Sequence, residues 1–330
     1  MTIDDVTELL ASMPQPDLEA RAAVEARSAE VLRPVGALAR CDEIAAWLAG
    51  WQRTSKPSVS KPFLVLAAAD HGVVARGVSA YPPEVTKGMV AAIKAGVATS
   101  SVLAREAGAG VYVIDAGVGE PTGDIVTGPA LSSEVFSDCF QKGRDVVSGL
   151  DCDILAIGEM GIGNTTASSA VASAVIGGDP RLWVGRGTGI TDAGLKTKRE
   201  AVSTAVDRVG TVDPIEALRQ LGGGELVALA GAVTEARLRS IPVVLDGFTA
   251  TAAVIPLEAA VAGALDHCIA SHLSAEPGHV RMLEWLGKEP LLKLDLRLGE
   301  GSGALLAIPL IRMAAAAVVE VSTFAEWGLA

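Results

Sequence analysis

Five short apolar runs in this chain each end in a cluster of Asp, Glu, Ser, His or Gly. Phe63-Leu-Val-Leu-Ala-Ala-Ala69 leads into Asp70-His-Gly72, and Val111-Tyr-Val-Ile114 into Asp115-Ala-Gly117. Ile154-Leu-Ala-Ile157 leads into a Gly-rich segment, Val243-Val-Leu245 into Asp246-Gly-Phe248, and Cys268-Ile-Ala270 into Ser271-His272. Helical patterns between the runs make a parallel sheet the natural arrangement, because a parallel strand pair needs a long crossover. In an open parallel sheet the carboxyl ends of the strands share one edge, where ligands bind. One or two such clusters would be ordinary turn chemistry. Five along one edge favour a binding site.

Composition agrees with that class. Half of the 330 residues are hydrophobic but only 4% are aromatic, which suits close-packed helices on a parallel sheet. Residues 1–57 read as helices alone, with Leu18–Leu32 and Ile44–Trp51 at helical spacing. Ser58-Val-Ser-Lys-Pro62 is a breaker, and the α/β pattern occupies 58–330. The net charge of −12 argues against nucleic acid or anionic membrane as a partner, since both demand a basic face. The late apolar stretch Ala304–Val321 is interrupted by Pro309 and Arg312 and is not read as a membrane span. The start, Met1-Thr-Ile-Asp-Asp-Val6, lacks a signal-peptide pattern. Cys41, Cys139, Cys152 and Cys268 form no CxxC pair and read as buried structural thiols of a reduced, cytoplasmic protein.

The segment Gly158-Glu-Met-Gly-Ile-Gly-Asn-Thr-Thr166 sits between an apolar run and a small-residue helix, Ala167–Ile176. Strand, Gly-rich turn and helix N-terminus in that order make an anion site. Gly161 and Gly163 allow close backbone approach, and the free N–H groups of the first helical turn point at the ligand. Asn164, Thr165 and Thr166 add cap and hydroxyl donors. Glu159 is not needed by a phosphate cradle, so it is read as facing another part of the substrate.

Two further Gly-rich segments follow. Gly185-Arg-Gly-Thr-Gly-Ile-Thr-Asp-Ala-Gly194 precedes a helix with Lys196, Lys198 and Arg199 near its start, an unfavourable place for cations unless an anion lies nearby. For Lys196 and Arg199 a solvated face is an equal reading. Leu298-Gly-Glu-Gly-Ser-Gly303 places Glu300 between glycines at the mouth of a helix, which suits close approach of a ligand or another segment. His71, His267, His272 and His279 show no metal-ligand spacing, and His272 and His279 read as structural or pocket-lining. No metal or cofactor is expected. A dinucleotide fingerprint is incomplete, since Gly161-Ile-Gly163 lacks the third glycine.

In order along the chain, ADHGV (Ala69–Val73), GEMGIGNTT (Gly158–Thr166), GRGTGITDAGLKTK (Gly185–Lys198), LDGF (Leu245–Phe248), SHLSAEPGH (Ser271–His279) and LDLRLGEGSGA (Leu294–Ala304) resemble the nicotinate-nucleotide–dimethylbenzimidazole phosphoribosyltransferase family. The resemblance covers nearly all of the chain from Phe63 onward. It implies a Rossmann-like parallel sheet flanked by helices, with a small helical domain built from segments near both ends. It implies a homodimer that moves phosphoribose from nicotinate mononucleotide to 5,6-dimethylbenzimidazole, without metal. It assigns Glu300 as the catalytic base, with Glu159 as a second carboxylate on the ribose side. Gly161, Gly163, Asn164, Thr165, Thr166 and Lys198 would hold the phosphate, and Asp246, Gly247 and Ser274 the nucleotide. Ser79, Tyr81, Val85, Met89 and Leu298 would line the base pocket. The rival readings are a nicotinamide-dinucleotide-dependent oxidoreductase and a non-catalytic nucleotide-binding protein.

Overall fold

The structure, a computed structural model, describes residues 2–329. Helices α1 (Ile3–Ala11), α2 (Leu18–Ser28) and α3 (Ala39–Gln52) precede β1 (Pro62–Ala68). Then come α4 (Glu84–Lys94), α5 (Thr99–Ala107), β2 (Gly110–Asp115), α6 (Ser133–Ser148), β3 (Ile154–Met160) and α7 (Asn164–Ile176). They are followed by α8 (Asp192–Val209), α9 (Pro214–Leu221), α10 (Gly224–Leu238), β4 (Val243–Leu245), α11 (Phe248–Ala260), β5 (Cys268–Ala270), α12 (Pro277–Leu286) and α13 (Ser302–Val319).

The five strands lie in the order β2-β1-β3-β4-β5, and every neighbouring pair is parallel. All five apolar runs become strands, so their polar ends do share one edge. The chain winds outward from β1 to β2 and then returns to β3 on the other side of β1. That reversal opens a crevice at the carboxyl ends of β1 and β3.

Strand side chains alternate between the two faces of the sheet. Val65, Ala67, Leu155, Ile157, Val243 and Leu245 join the core shared with α6, α7, α10 and α11. Leu64, Leu66, Ala68, Ile154, Ala156 and Val244 face α3, α4, α5 and α13. The low aromatic content is legible in this packing: α6 and α10 cross backbone to backbone. A Cβ on Gly143 would run into the Ala228 carbonyl oxygen, and one on Gly231 into that of Phe140.

Four expectations shift. The helix read over Leu18–Leu32 stops at Ser28, because Val31 bridges to Thr323 and the Leu32 N–H donates to the Ser322 carbonyl. The strand read over Ile154–Ile157 continues to Met160, which moves Gly158 and Glu159 from the loop into the sheet. The late apolar stretch is not interrupted, since α13 runs through both Pro309 and Arg312. An interior proline costs about 3 kcal/mol, and burial returns about 1.5–3 kcal/mol for each of Leu305, Ile308 and Ile311. Arg312 is accommodated by donating to the carbonyls of Val59 and Ala107. Among the described residues α13 is the one helix long and apolar enough to cross a membrane, and its apolar face is spent on the core. Of the cysteines, Cys139 and Cys268 are buried, whereas Cys41 and Cys152 are only half-buried.

The two ends of the chain meet at the far end of α13. Arg27 donates to the carbonyls of Val318 and Val321, and Arg33 to that of Ala317, supplying cations where a helix leaves its last carbonyls open. Val24, Ala45, Ala46, Ala49 and Val318 form a small apolar cluster beside them.

The α6–α10 crossing yields a stability test. Gly→Ala inside a helix normally gains about 1 kcal/mol of propensity. Here Gly143→Ala and Gly231→Ala are each expected to destabilise the fold by ~1–3 kcal/mol through overpacking. Thermal melts should show both midpoints lowered by several degrees, and a raised midpoint would contradict the close crossing.

Candidate active site

β3 delivers Glu159 to the crevice, opposite Ala67 of β1. The strand reaches that far because Gly158 has no side chain: a Cβ there would lie 2.6 Å from the Gly301 Cα. The chain then turns at Gly161, where a Cβ would lie 2.7 Å from the Ala69 carbonyl oxygen, and at Gly163, in the left-handed region at φ +94. Gly163 caps α7 and carries no side chain to satisfy the first-turn N–H groups. The loop is pinned by the Ile162 N–H, which donates to the Thr86 hydroxyl of α4 at 3.1 Å. Beneath it, the buried His71 Nε2 and Glu225 Oε1 meet at 2.7 Å. Asn164 begins α7 and does not cap it; its side-chain amide donates to Glu159 Oε2.

The second carboxylate arrives from the loop before α13. Gly299, Glu300 and Gly301 are consecutive left-handed residues, at φ +84, +59 and +74. For Glu300 that conformation is strained by about 1–3 kcal/mol and persists only because its surroundings hold it. Asp246, at the end of β4, is the main restraint. Its Oδ2 accepts from the Gly301 N–H at 3.1 Å, and its Oδ1 accepts from the N–H groups of Gly303 at 2.8 Å and Ala304 at 3.1 Å. The Glu300 N–H donates to the Glu159 carbonyl at 3.2 Å, and the Ser100 hydroxyl to Glu300 Oε2 at 3.1 Å. A Cβ on Gly299 would stand 2.6 Å from Glu159 Oε1, so the two glutamates occupy adjoining positions.

Burial, reinforced by the Asp246 and Glu225 carboxylates, pushes the Glu159 carboxyl well above the usual range. Burial also raises Asp246, against His272 and its three backbone donors, and raises Glu300, against the bonds from Ser100. Opposite them, burial lowers the Lys198 ammonium to about 8. Lys198 Nζ donates to the Thr165 hydroxyl at 2.8 Å and to the Gly185 carbonyl at 3.2 Å. A buried cation tied to the first turn of α7 marks that end of the crevice as the anion side.

A small open cavity of about 100 Å³ lies between these features. Among the sequence-derived candidates, Glu159, Gly161, Asn164, Thr165, Gly247, Ser274 and Leu298 line it. Lys198 stands behind Thr165, Glu300 directly follows the lining residue Gly299, and Asp246 holds the α13 loop without lining the cavity. Gly163 and Thr166 belong to the cap and first turn of α7. Ser79, Tyr81, Val85 and Met89 lie on α4 and the turn before it, outside the cavity wall. Lys196 faces solvent beside Glu200.

Glu276, Thr188, Phe248, Thr249, Leu296 and Arg297 also line the cavity and were not singled out from the sequence. Glu276 lay inside a recognised motif, and its Oε1 accepts from the Gly187 N–H at 2.9 Å. Its Oε2 and the Ser274 hydroxyl are buried polar atoms with no bonding group, as expected of a site that awaits a polar ligand. His272 lines the cavity, while His279 is structural: its Nδ1 accepts from the Ser274 N–H. Among the described residues, no three His, Cys, Asp or Glu side chains are arranged to hold a metal ion.

Comparison with known proteins identifies the family. The profile of a family described as phosphoribosyltransferase matches residues 13–329. The chain is 48% identical to the nicotinate-nucleotide–dimethylbenzimidazole phosphoribosyltransferase of Jannaschia sp. (strain CCS1), over 100% of this chain and 98% of that protein. It is 45% identical to the protein of the same name from Cereibacter sphaeroides, over 97% and 95% of the two chains. The crystal structure of CobT from Thermus thermophilus superposes with a TM-score of 0.90 at 42% identity, over 94% of this chain and 99% of that one. The chain therefore belongs to the nicotinate-nucleotide–dimethylbenzimidazole phosphoribosyltransferase family.

Proposed function

We propose that this protein transfers phosphoribose from nicotinate mononucleotide to 5,6-dimethylbenzimidazole, releasing nicotinate and forming α-ribazole 5′-phosphate, in the assembly of the lower ligand of cobalamin. The observation that carries this reading is the pairing of two adjoining buried glutamates with a buried lysine and a helix N-terminus across one cavity. Lys198, Thr165 and the first turn of α7, with Gly161, Gly163, Asn164 and Thr166, would receive the phosphate. Gly247 and Ser274 border the same cavity on the nucleotide side. Asp246 would serve by fixing the Glu300 loop.

One nitrogen of the neutral benzimidazole attacks C1′ from the face opposite nicotinate. The C1′–N bond to nicotinate breaks with its electron pair going to the pyridinium nitrogen, which leaves neutral. Inversion at C1′ turns a β-nucleotide into an α-nucleotide. Positive charge on the attacking ring acidifies its other N–H, and Glu300 accepts that proton. Burial raises the proton affinity of Glu300, which suits a base provided that its carboxylate is kept ionised. Glu159 would stabilise cationic character at C1′. Leu298, half-exposed at the mouth, and Ser79, Tyr81, Val85 and Met89 on the α4 side would wall the acceptor. The Thr86 bond to the glycine loop supports that placement by tying α4 to the site.

The same reading takes the chain as a cytoplasmic homodimer. It takes residues 1–57 with the far end of α13 as the small helical domain beside an α/β domain over 58–330, supported by the Arg27 and Arg33 clamps. A dinucleotide-dependent oxidoreductase finds no support: the relatives are phosphoribosyltransferases, and the third glycine of the fingerprint is missing.

With both substrates, Glu300→Gln is expected to cut nicotinate release by roughly 10²–10⁴-fold while donor affinity stays near wild type. Steady-state rates with calorimetric donor binding check both, and full activity removes Glu300 from the base role. Glu159→Gln should lower kcat more than it raises the donor KM; a change confined to KM would move Glu159 away from the reacting carbon. A third test is pH. Lys198 is charged below about 8, so the donor KM should be flat below that pH and rise above it. Lys198→Ala should weaken donor binding and abolish the dependence, whereas an unchanged KM across pH 8 in wild type would take Lys198 off the phosphate.

A further inference from the structure

Glu300 is not held by its own loop alone. Helix α5 begins at Thr99, and its N-cap, Ala98, has no side-chain oxygen to accept from the first-turn N–H groups. The Glu300 carboxylate lies at this helix end: the fully buried Ser100 hydroxyl, one residue into α5, donates to Glu300 Oε2 at 3.1 Å. The Ser100 backbone N–H, a first-turn donor of this uncapped helix, also favours the ionised form of the same carboxylate. α5 is in turn fixed against α13, since Ala98, Ala104 and Ala107 share a core with Ala304, Leu305, Ile308 and Ile311. The strained loop and the helix that receives its carboxylate thus rest on one rigid support.

We propose that Ser100 is a positioning residue for the catalytic base: with the N-terminus of α5 it holds Glu300 Oε2, keeps the carboxylate ionised, and leaves Oε1 to take the acceptor proton. The inference rests on the base role assigned to Glu300 above. The chemical logic is a balance of opposed effects. Burial and the neighbouring Asp246 carboxylate favour the protonated form of Glu300, in which it is no base. Glu159 on β3 is itself raised by the Glu300 charge, and His272 after β5 acts on the group through Asp246. On α5 itself, Arg105 and Glu106 lie in the last turn and face solvent, so the polar group that the helix offers Glu300 is Ser100. Arg312 of α13 is committed to the carbonyls of Val59 and Ala107. The Ser100 hydroxyl on Oε2, together with the Ser100 backbone N–H, therefore opposes burial. With Oε2 so occupied, the proton transferred from the acceptor has one oxygen open to it.

The test is Ser100→Ala in the full-length protein, with Ser100→Thr as the variant that restores a hydroxyl and a thermal melt to establish folding. Losing a hydrogen bond to a charged group should move the acid limb of the kcat/KM profile upward by about one pH unit. The rate below that limb should fall, and the donor KM should not change. Ser100→Thr should recover the wild-type limb. A wild-type profile in folded Ser100→Ala overturns the proposal, as does a loss that appears only in KM. A second readout needs no turnover: carbon-13 NMR titration of the Glu300 carboxyl, identified by its disappearance in Glu300→Gln. Its pKa should rise in Ser100→Ala, and an unchanged pKa overturns the proposal even if the enzyme proves to use other substrates. If wild-type protein fails to release nicotinate but the NMR shift is seen, the reaction assignment fails and the Ser100–Glu300 coupling stands.

Discussion

The site depends on one carboxylate that touches neither substrate in the proposed reaction. Asp246 takes the N–H groups of Gly301, Gly303 and Ala304, which lie at the uncapped start of α13. Three orphan donors satisfied by one buried anion form a favourable junction of charge and helix dipole. The junction joins the end of β4 to the loop that carries Glu300, so the sheet edge and the base loop move as one body. It also provides the restraint that a left-handed glutamate requires, because nothing intrinsic to Glu300 favours φ +59. The glycines on either side allow close approach instead: Gly301 against Gly158, and Gly299 against the Glu159 carboxylate.

Much of this was legible in the sequence because parallel sheets write their plan in short apolar runs. The ends of Val243–Leu245 and Cys268–Ala270 coincide with β4 and β5, since Asp246 and Ser271 stop the runs where the strands stop. The glycine loop misled in one respect. Gly158 and Glu159 look like loop residues, but they pair with β1 because the absent Cβ of Gly158 lets Gly301 pack on the strand. Pro309 misled for the opposite reason. Helix breaking is a local property, whereas α13 is held by core packing against the sheet, α3 and α5 and tolerates one missing N–H.

Other parts were illegible because they are made by tertiary contact between residues that carry no local mark. Glu225 sits in the first turn of a uniformly buried helix and meets His71 from 154 positions away in sequence. Glu276 reaches Gly187 across 89 positions. Ser100 resembles any other serine at a helix start until Glu300 is placed beside it. Asp246 reads from its motif as a nucleotide contact, whereas in the folded chain both its oxygens accept from backbone N–H groups. Motif matching finds the residues of a site more readily than it finds which of them meet the ligand.

The electrostatic layout suits a dipolar donor. Glu159, Asp246 and Glu300 crowd one end of the crevice, and each is pushed toward its neutral form, first by burial. Lys198, at the other end, is pushed toward its neutral form for the same reason. A nucleotide with an anionic phosphate and a cationic pyridinium opposes both tendencies at once: the phosphate favours the charged ammonium, and the pyridinium favours ionised carboxylates. Binding such a donor would therefore move the glutamates toward their basic state as the reacting carbon arrives. When nicotinate departs, the positive charge passes to the attacking ring and stays near the same carboxylates. A purely anionic donor would charge the lysine and leave the glutamates protonated, which gives the acidic end of the site its own part in choosing the substrate.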